Sequence, residues 1–151
     1  MIGWQILTLI AGFILGYIFY ELFNYRAGGV LVIPLMVIYT IEYPLMLVFI
    51  LLTTLFSFLI VHLIHSKILI YGRRVLYLSL LIGVFTNLAL ELILKLNVIE
   101  LSWYPLVLPG LFAYNLHREY NSKNSFPLSI CLTIGLYCIL GMIALVGVYL
   151  L

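Results

Sequence analysis

Hydrophobic and polar positions along the chain alternate on a coarse scale. Long apolar runs are separated by short polar joints. The runs are Ile2 to Phe23, Ala27 to Ile41, Tyr43 to Ile64, Leu76 to Leu94, Leu101 to Leu116 and Phe126 to Leu151. The joints are "ELFNYRAGG", "HSKILIYGRRV" and "HREYNSKNS". None of the runs shows the period-two alternation of a barrel strand, so each predicts a helix. The expected fold is an all-α integral membrane protein.

Composition agrees. The 151 residues are 66% hydrophobic and 8% charged, with a mean hydropathy of +1.29. No water-soluble domain of this size hides that much apolar surface. A helix crossing ~30 Å of hydrocarbon takes about 20 residues, so the chain has room for about six passes. A single transmembrane domain over residues 1–151 is expected, with no soluble domain beside it. The net charge of +2 argues against a nucleic-acid partner. The start, "MIGWQILTLIAG", lacks a basic leader and reads as a retained first span.

The second run is the ambiguous one. As a helix, Ala27 to Ile41 measures only about 22 Å, thin for a crossing. The alternative is four spans plus two re-entrant elements. Basic residues arbitrate, because cytoplasmic loops collect Lys and Arg. With six crossings, Arg26, Lys67, Arg73, Arg74, Arg118 and Lys123 share one side and Lys95 alone lies opposite. With re-entrant second and fifth runs the bias vanishes. Six passes are therefore expected, with both termini outside the cytoplasm.

Six passes also give meaning to an echo. "GVLVIPLMVIY" from Gly29 and "YPLVLPGLFAYNL" from Tyr104 share a Leu-Val-(Ile/Leu)-Pro core, with Pro34 and Pro109 75 residues apart. The next runs open alike, "YPLML" at Tyr43 and "FPLSI" at Phe126. Pseudo-repeats 1–66 and 67–151 of three helices each are expected. Three is odd, so the second would be inverted, and each would have a Pro-broken middle helix. In transporter-like membrane proteins that pattern points to a midplane site or pathway. Inside a helix, proline frees the carbonyl four residues back. For Pro34 that is Val30, and for Pro109 it is Pro105. Gly110 would widen the second break. In lipid such a carbonyl needs protein, water or a ligand to meet it. A kink satisfied by neighbouring helices is the plainer possibility.

Ionisable groups within spans are costly and become site candidates. Glu21 closes the first run, with Arg26 as a possible local partner. The fourth run carries Ser79, Gly83, Asn87, Glu91 and Lys95 at steps of four, a row on one slowly winding face. Asn87 and Glu91 would line a polar path, or the row is a packing seam with a Glu91–Lys95 pair. Thr8, Gly12 and Gly16 form a similar small-residue row, common in helix packing. His62, His65 and His117 belong at the cytoplasmic side, without the neighbours a metal site needs. Cys131 and Cys138 are about 10 Å apart on a helix, too far for a disulfide. There is no phosphate loop, no G-x-S-x-G elbow and no H-E-x-x-H. No catalytic residue, metal or cofactor is assigned to this chain.

In the basic joint, Gly72 permits a tight bend and Arg73 and Arg74 follow. Arg binds carboxylates bidentately, so the pair suits an acidic polymer or an acidic patch, besides being a topology signal. The joint also carries a resemblance. Glu21, "GVLVIP" from Gly29, "ILIYGRR" from Ile68 to Arg74, Glu91 and "LVLPGL" from Leu106 resemble the CapC/PgsC family over nearly the whole chain. Tyr71-Gly72-Arg73-Arg74 is the most specific match. Leu35 stands where the family commonly has glycine.

The family is the small membrane subunit of the bacterial poly-γ-glutamate synthase. The resemblance implies a place in the bacterial cytoplasmic membrane and a capsule-forming complex. Its partners would be a Mur-ligase-like subunit (CapB/PgsB-like), an extracellular subunit (CapA/PgsA-like), the glutamate polymer and the lipid bilayer. ATP and Mg belong to the ligase. Tyr71, Gly72, Arg73, Arg74, Glu21 and Arg26 become candidates for binding partner or polymer. Pro34, Pro109, Gly110, Asn87 and Glu91 become candidates for a pathway or helix break. Six short helices scarcely enclose a polyanion, so an oligomer or a pore shared with partners is expected. A pure scaffold, a small transporter and a membrane-embedded enzyme are the alternatives.

Overall fold

A computed structural model describes residues 2–23, 29–67, 72–94, 104–121 and 126–150. Every described element is helical: α1 (Ile2–Phe23), α2 (Val32–Glu42), α3 (Pro44–Lys67), α4 (Arg73–Leu94), α5 (Tyr104–Asn121) and α6 (Phe126–Leu150). Four of them, α1, α3, α4 and α6, are long and apolar enough to cross a membrane. The expected all-α membrane fold is what the chain adopts. Pro44 opens α3 and Pro127 is the second residue of α6, positions where a missing N–H costs nothing.

The second run departs from its expected form. Its helix has 11 residues, about 16 Å, and Pro34 is the third of them. Proline frees the carbonyl four residues back only inside a helix. Val30 lies before α2, so Pro34 opens this helix and the interruption precedes it, at Gly29 with φ 100°. The short helix still runs the way a crossing runs. Val30 lies against Gly16 and Pro34 against Gly12, and Gln5 donates a hydrogen bond to Glu42. Residues 30–42 therefore track α1 backward toward its start. A re-entrant hairpin would return Glu42 to the end where α1 finishes.

The described chain forms two compact units, residues 1–47 with 119–151 and residues 48–118. The first holds α1, α2 and α6. Its core is Trp4, Ile33, Val37, Ile38, Leu136, Leu140 and Ala144. Gly147 lets α6 close on Trp4, where an added Cβ would lie 3.3 Å from the Trp4 Cβ. The second unit holds most of α3, with α4 and α5. Val61, Val75 and Ile82 form its core, flanked by Ile64, Leu78 and Tyr114. Each unit thus joins the first two helices of one sequence half to the third helix of the other.

Small residues make both helix pairs. In lipid there is little hydrophobic drive between helices, so close packing and hydrogen bonds do that work. On α1, the expected row of Thr8, Gly12 and Gly16 carries α2 and its lead-in. A Cβ on Gly12 would come within 2.7 Å of the Pro34 Cβ. On α4, Ser79 and Gly83 carry α5. A Cβ on Gly83 would come within 2.5 Å of the Gly110 Cα, and one on Gly110 within 2.7 Å of the Ser79 carbonyl oxygen. Both collisions at the α4–α5 contact are with backbone, which cannot swing aside. Gly135 on α6 has nothing within 4 Å of its added Cβ. Gly83→Ala should therefore destabilise the fold by ~1–3 kcal/mol, an overpacking cost, while Gly135→Ala should be near neutral. Unfolding in mixed denaturing detergent measures both.

Candidate functional site

The candidate residues fall on two places in the second unit. One is the α4–α5 seam. Pro109 lies inside α5, as the sequence predicts, and α5 continues through it as one helix. Next to the break, Asn87 Nδ2 donates to the Leu106 carbonyl oxygen at 3.0 Å. Asn87 is 1% exposed. The side chain expected to line a path thus meets main chain beside the proline. The carbonyl that Pro109 frees is that of Pro105, and the amide meets the next one along the helix. Gly110 is used for close approach to α4 rather than for bending.

Hydroxyls that the sequence reading passed over extend the seam toward α3. Ser57 and Thr86 are hydrogen-bonded at 2.8 Å. Thr53 and Thr54 donate back to the Phe49 and Ile50 carbonyls at 2.9 and 2.6 Å. The signal was present as "TTLFS" in α3, but a hydroxyl that bonds its own helix has the same spacing as one that bonds a neighbour.

The second place is the end of this unit where α3 finishes, α4 starts and α5 finishes. Gly72, at φ 67°, accepts a left-handed conformation at no steric cost and leads into Arg73 and Arg74. Both arginines are exposed, as are Lys67 and Arg118. Three helix ends therefore present four cations. Residues 48–90 and 106–118 contain no Asp or Glu. Beneath the cations lie three imidazoles. The His117 ring centroid is 4.8 Å from that of His65 and 6.0 Å from that of His62. Phe58 stacks on His62 at 6.1 Å and meets His117 edge-on at 6.3 Å.

His117 lies just past the fifth apolar run and is 2% exposed. Burial pushes its imidazole down to about 4, and the neighbouring His65 and His62 act in the same direction. Among the described residues no group of three or more His, Cys, Asp or Glu is placed to hold a metal ion.

The other candidates lie elsewhere. Glu21 is exposed on the last turn of α1 and accepts a hydrogen bond from the Tyr17 hydroxyl. Pro34 sits in the first unit against Gly12. Glu91 is on α4, with its side chain outside the description, so a Glu91–Lys95 pair is not placed. Tyr71 and Arg26 lie outside the described residues. Cys131 and Cys138 are free thiols on the exposed face of α6. The Gln5–Glu42 bond joining the open ends of α1 and α2 was not anticipated, because its residues are far apart in sequence.

Small-residue seams, Pro/Gly-marked middle helices and a cation-bearing end define a multi-pass helical membrane protein. The family comparison makes this specific. The model of the capsule biosynthesis CapC family matches residues 11–124. That match runs from the middle of α1 through α5 and takes in both proline phrases, and the chain belongs to the CapC family, a membrane component of capsule biosynthesis. Comparisons with curated proteins and with solved structures give no match.

The seam gives an ordered pair of costs. Asn87→Ala removes one interhelical donor, worth about 1 kcal/mol in a membrane protein. It should cost less than Gly83→Ala in the same detergent unfolding. If Asn87→Ala cost nothing, the Leu106 bond would not be what holds the seam.

Proposed function

We propose that this chain is the membrane subunit of a capsule-polymer synthesis and export complex. It anchors a cytoplasmic ATP-dependent Mur-ligase-like subunit and helps an anionic glutamate polymer across the bacterial cytoplasmic membrane. Membership of the CapC family supports the setting. The observation that carries the reading is the cationic end of the second unit, where Arg73 and Arg74 stand exposed at the start of α4. Guanidinium groups held on a rigid helix start can pair bidentately with carboxylates, either on the ligase surface or on the polymer.

In this reading the cationic end faces the cytoplasm. With three crossings in each half, Lys67, Arg73, Arg74 and Arg118 fall on the cytoplasmic side. Both termini then lie outside, and the second half is inverted relative to the first. An extracellular CapA-like subunit would receive the emerging chain. A passage for a polyanion needs more wall than one copy supplies, so a homo-oligomer or a pore shared with partners completes it.

A scaffold without a passage is the second reading, and one observation favours it. The α4–α5 seam, where a broken helix was to open polar backbone, is filled by Gly83, Gly110 and the Asn87 amide. The two readings separate on export. A scaffold tolerates seam substitutions that keep the fold, whereas a passage does not.

Co-purification with a co-expressed ligase subunit in mild detergent tests the anchoring role. Arg73→Ala with Arg74→Ala should lower ligase recovery at least tenfold, about 1.4 kcal/mol, with the membrane level of this chain unchanged. Full recovery from the double variant would refute anchoring through this end. Labelling of single cysteines introduced near each terminus should find both on the outer face.

A further inference from the structure

The outer side of α4 takes no part in the packing of the second unit. The packed side carries Val75, Ser79, Ile82 and Asn87, all buried. The outer side carries Arg73, Tyr77, Leu81 and Phe85 at steps of four, which sets one above the next along the helix. Arg73 and its neighbour Arg74 are exposed. Tyr77, Leu81 and Phe85 are 65%, 59% and 63% exposed.

The order of chemistry down this strip is that of a phospholipid. From the rise of an α-helix, Tyr77 lies about 6 Å below Arg73, Leu81 about 12 Å and Phe85 about 18 Å. Each polar layer of a bilayer is roughly 5–8 Å deep, outside a core of ~30 Å. With Arg73 at phosphate level, Tyr77 falls at the boundary, where an apolar ring with a polar tip belongs. Leu81 and Phe85 then meet acyl chain.

Charge picks the same place. Of the four exposed cations at this end of the second unit, Lys67 closes α3 and Arg118 lies in the last turn of α5. A helix C-terminus disfavours an anion, whereas a helix start favours one. Only Arg73 and Arg74 stand at a start. Arg118 also has the buried Glu119 beside it in the chain. The first acidic residue of α4 is Glu91, about 25 Å along the axis from Arg74. Gly72 leaves room for a headgroup, since an added Cβ there meets nothing within 4 Å. Guanidinium groups grip phosphate oxygens bidentately.

We propose that the start of α4 seats an anionic phospholipid of the surrounding bilayer. Arg73 and Arg74 hold its phosphate, Tyr77 lies at glycerol level, and an acyl chain runs down Leu81 and Phe85. A zwitterionic lipid carries its own cation next to the phosphate and gains less from two arginines. The inference goes beyond the capsule role and needs only that α4 crosses the bilayer. Its test contains neither ligase nor polymer, so its failure is distinct from a failure of ligase capture.

The test is native mass spectrometry of the full chain, purified in neutral detergent and titrated with phosphatidylglycerol or with phosphatidylcholine bearing the same acyl chains. One phosphatidylglycerol per chain should be retained, with an affinity at least about tenfold above that of phosphatidylcholine, the scale expected for two arginines at an anionic surface. Arg73→Gln with Arg74→Gln should abolish the preference while helix content by circular dichroism is unchanged. Lys67→Gln with Arg118→Gln should keep most of it. Glycerol phosphate, which has the anion without the chains, should not compete.

Equal affinity for the two lipids would overturn the proposal. So would a double arginine variant with the parental preference, or a loss of preference in the Lys67 and Arg118 variant. Displacement by glycerol phosphate would overturn it as well, because the seat would then serve a soluble anion.

Discussion

The structure depends on close approach of helices at rows of small residues. On α1 and on α4, a row with step four presents glycine where a middle helix must lie close: Gly12 beneath Pro34, and Gly83 beneath Gly110. In a lipid environment apolar side chains gain nothing by leaving hydrocarbon for protein, so surface hydrophobicity cannot hold the helices together. Contact area and a few interhelical hydrogen bonds must. Close approach provides the first, and Asn87 to Leu106 and Ser57 to Thr86 provide the second.

That constraint explains how the two prolines are used differently. Pro34 begins a short helix that needs no N–H there, and its ring fills the space over Gly12. Pro109 is inside a longer helix, where a lost backbone bond must be met, and a buried amide sits one residue from the carbonyl concerned. The same sequence phrase therefore gives a half-length helix after an irregular lead-in in one unit and a continuous helix in the other. The shared feature is the glycine contact, not the break.

Electrostatics separates the second unit's end from its seam. The seam is held by neutral groups, with Asn87 bonded to Leu106 and Ser57 to Thr86. The end gathers four exposed cations on three helix termini, with Glu119 buried beside Arg118 on α5. Exposed positive charge acts over a Debye length or so, about 8 Å at physiological ionic strength.

The sequence by itself determined the all-helical membrane class, the positions of the six runs and the gathering of Lys and Arg on particular joints. Each of these follows from local composition and from the cost of burying charge or bare backbone in hydrocarbon. The rows Thr8-Gly12-Gly16 and Ser79-Gly83-Asn87 were also legible, as seams without known occupants. Only the tertiary structure decided what lies on them. The runs are almost uniformly apolar, so periodicity hardly marks which face meets which neighbour. Partner choice depends on shape between segments far apart in the chain. Hence the exchange of α3 and α6 between the halves, the Asn87 bond to Leu106, the meeting of His117 with His62 and His65, and the reach of α2 back to Gln5 appear only once the helices are packed.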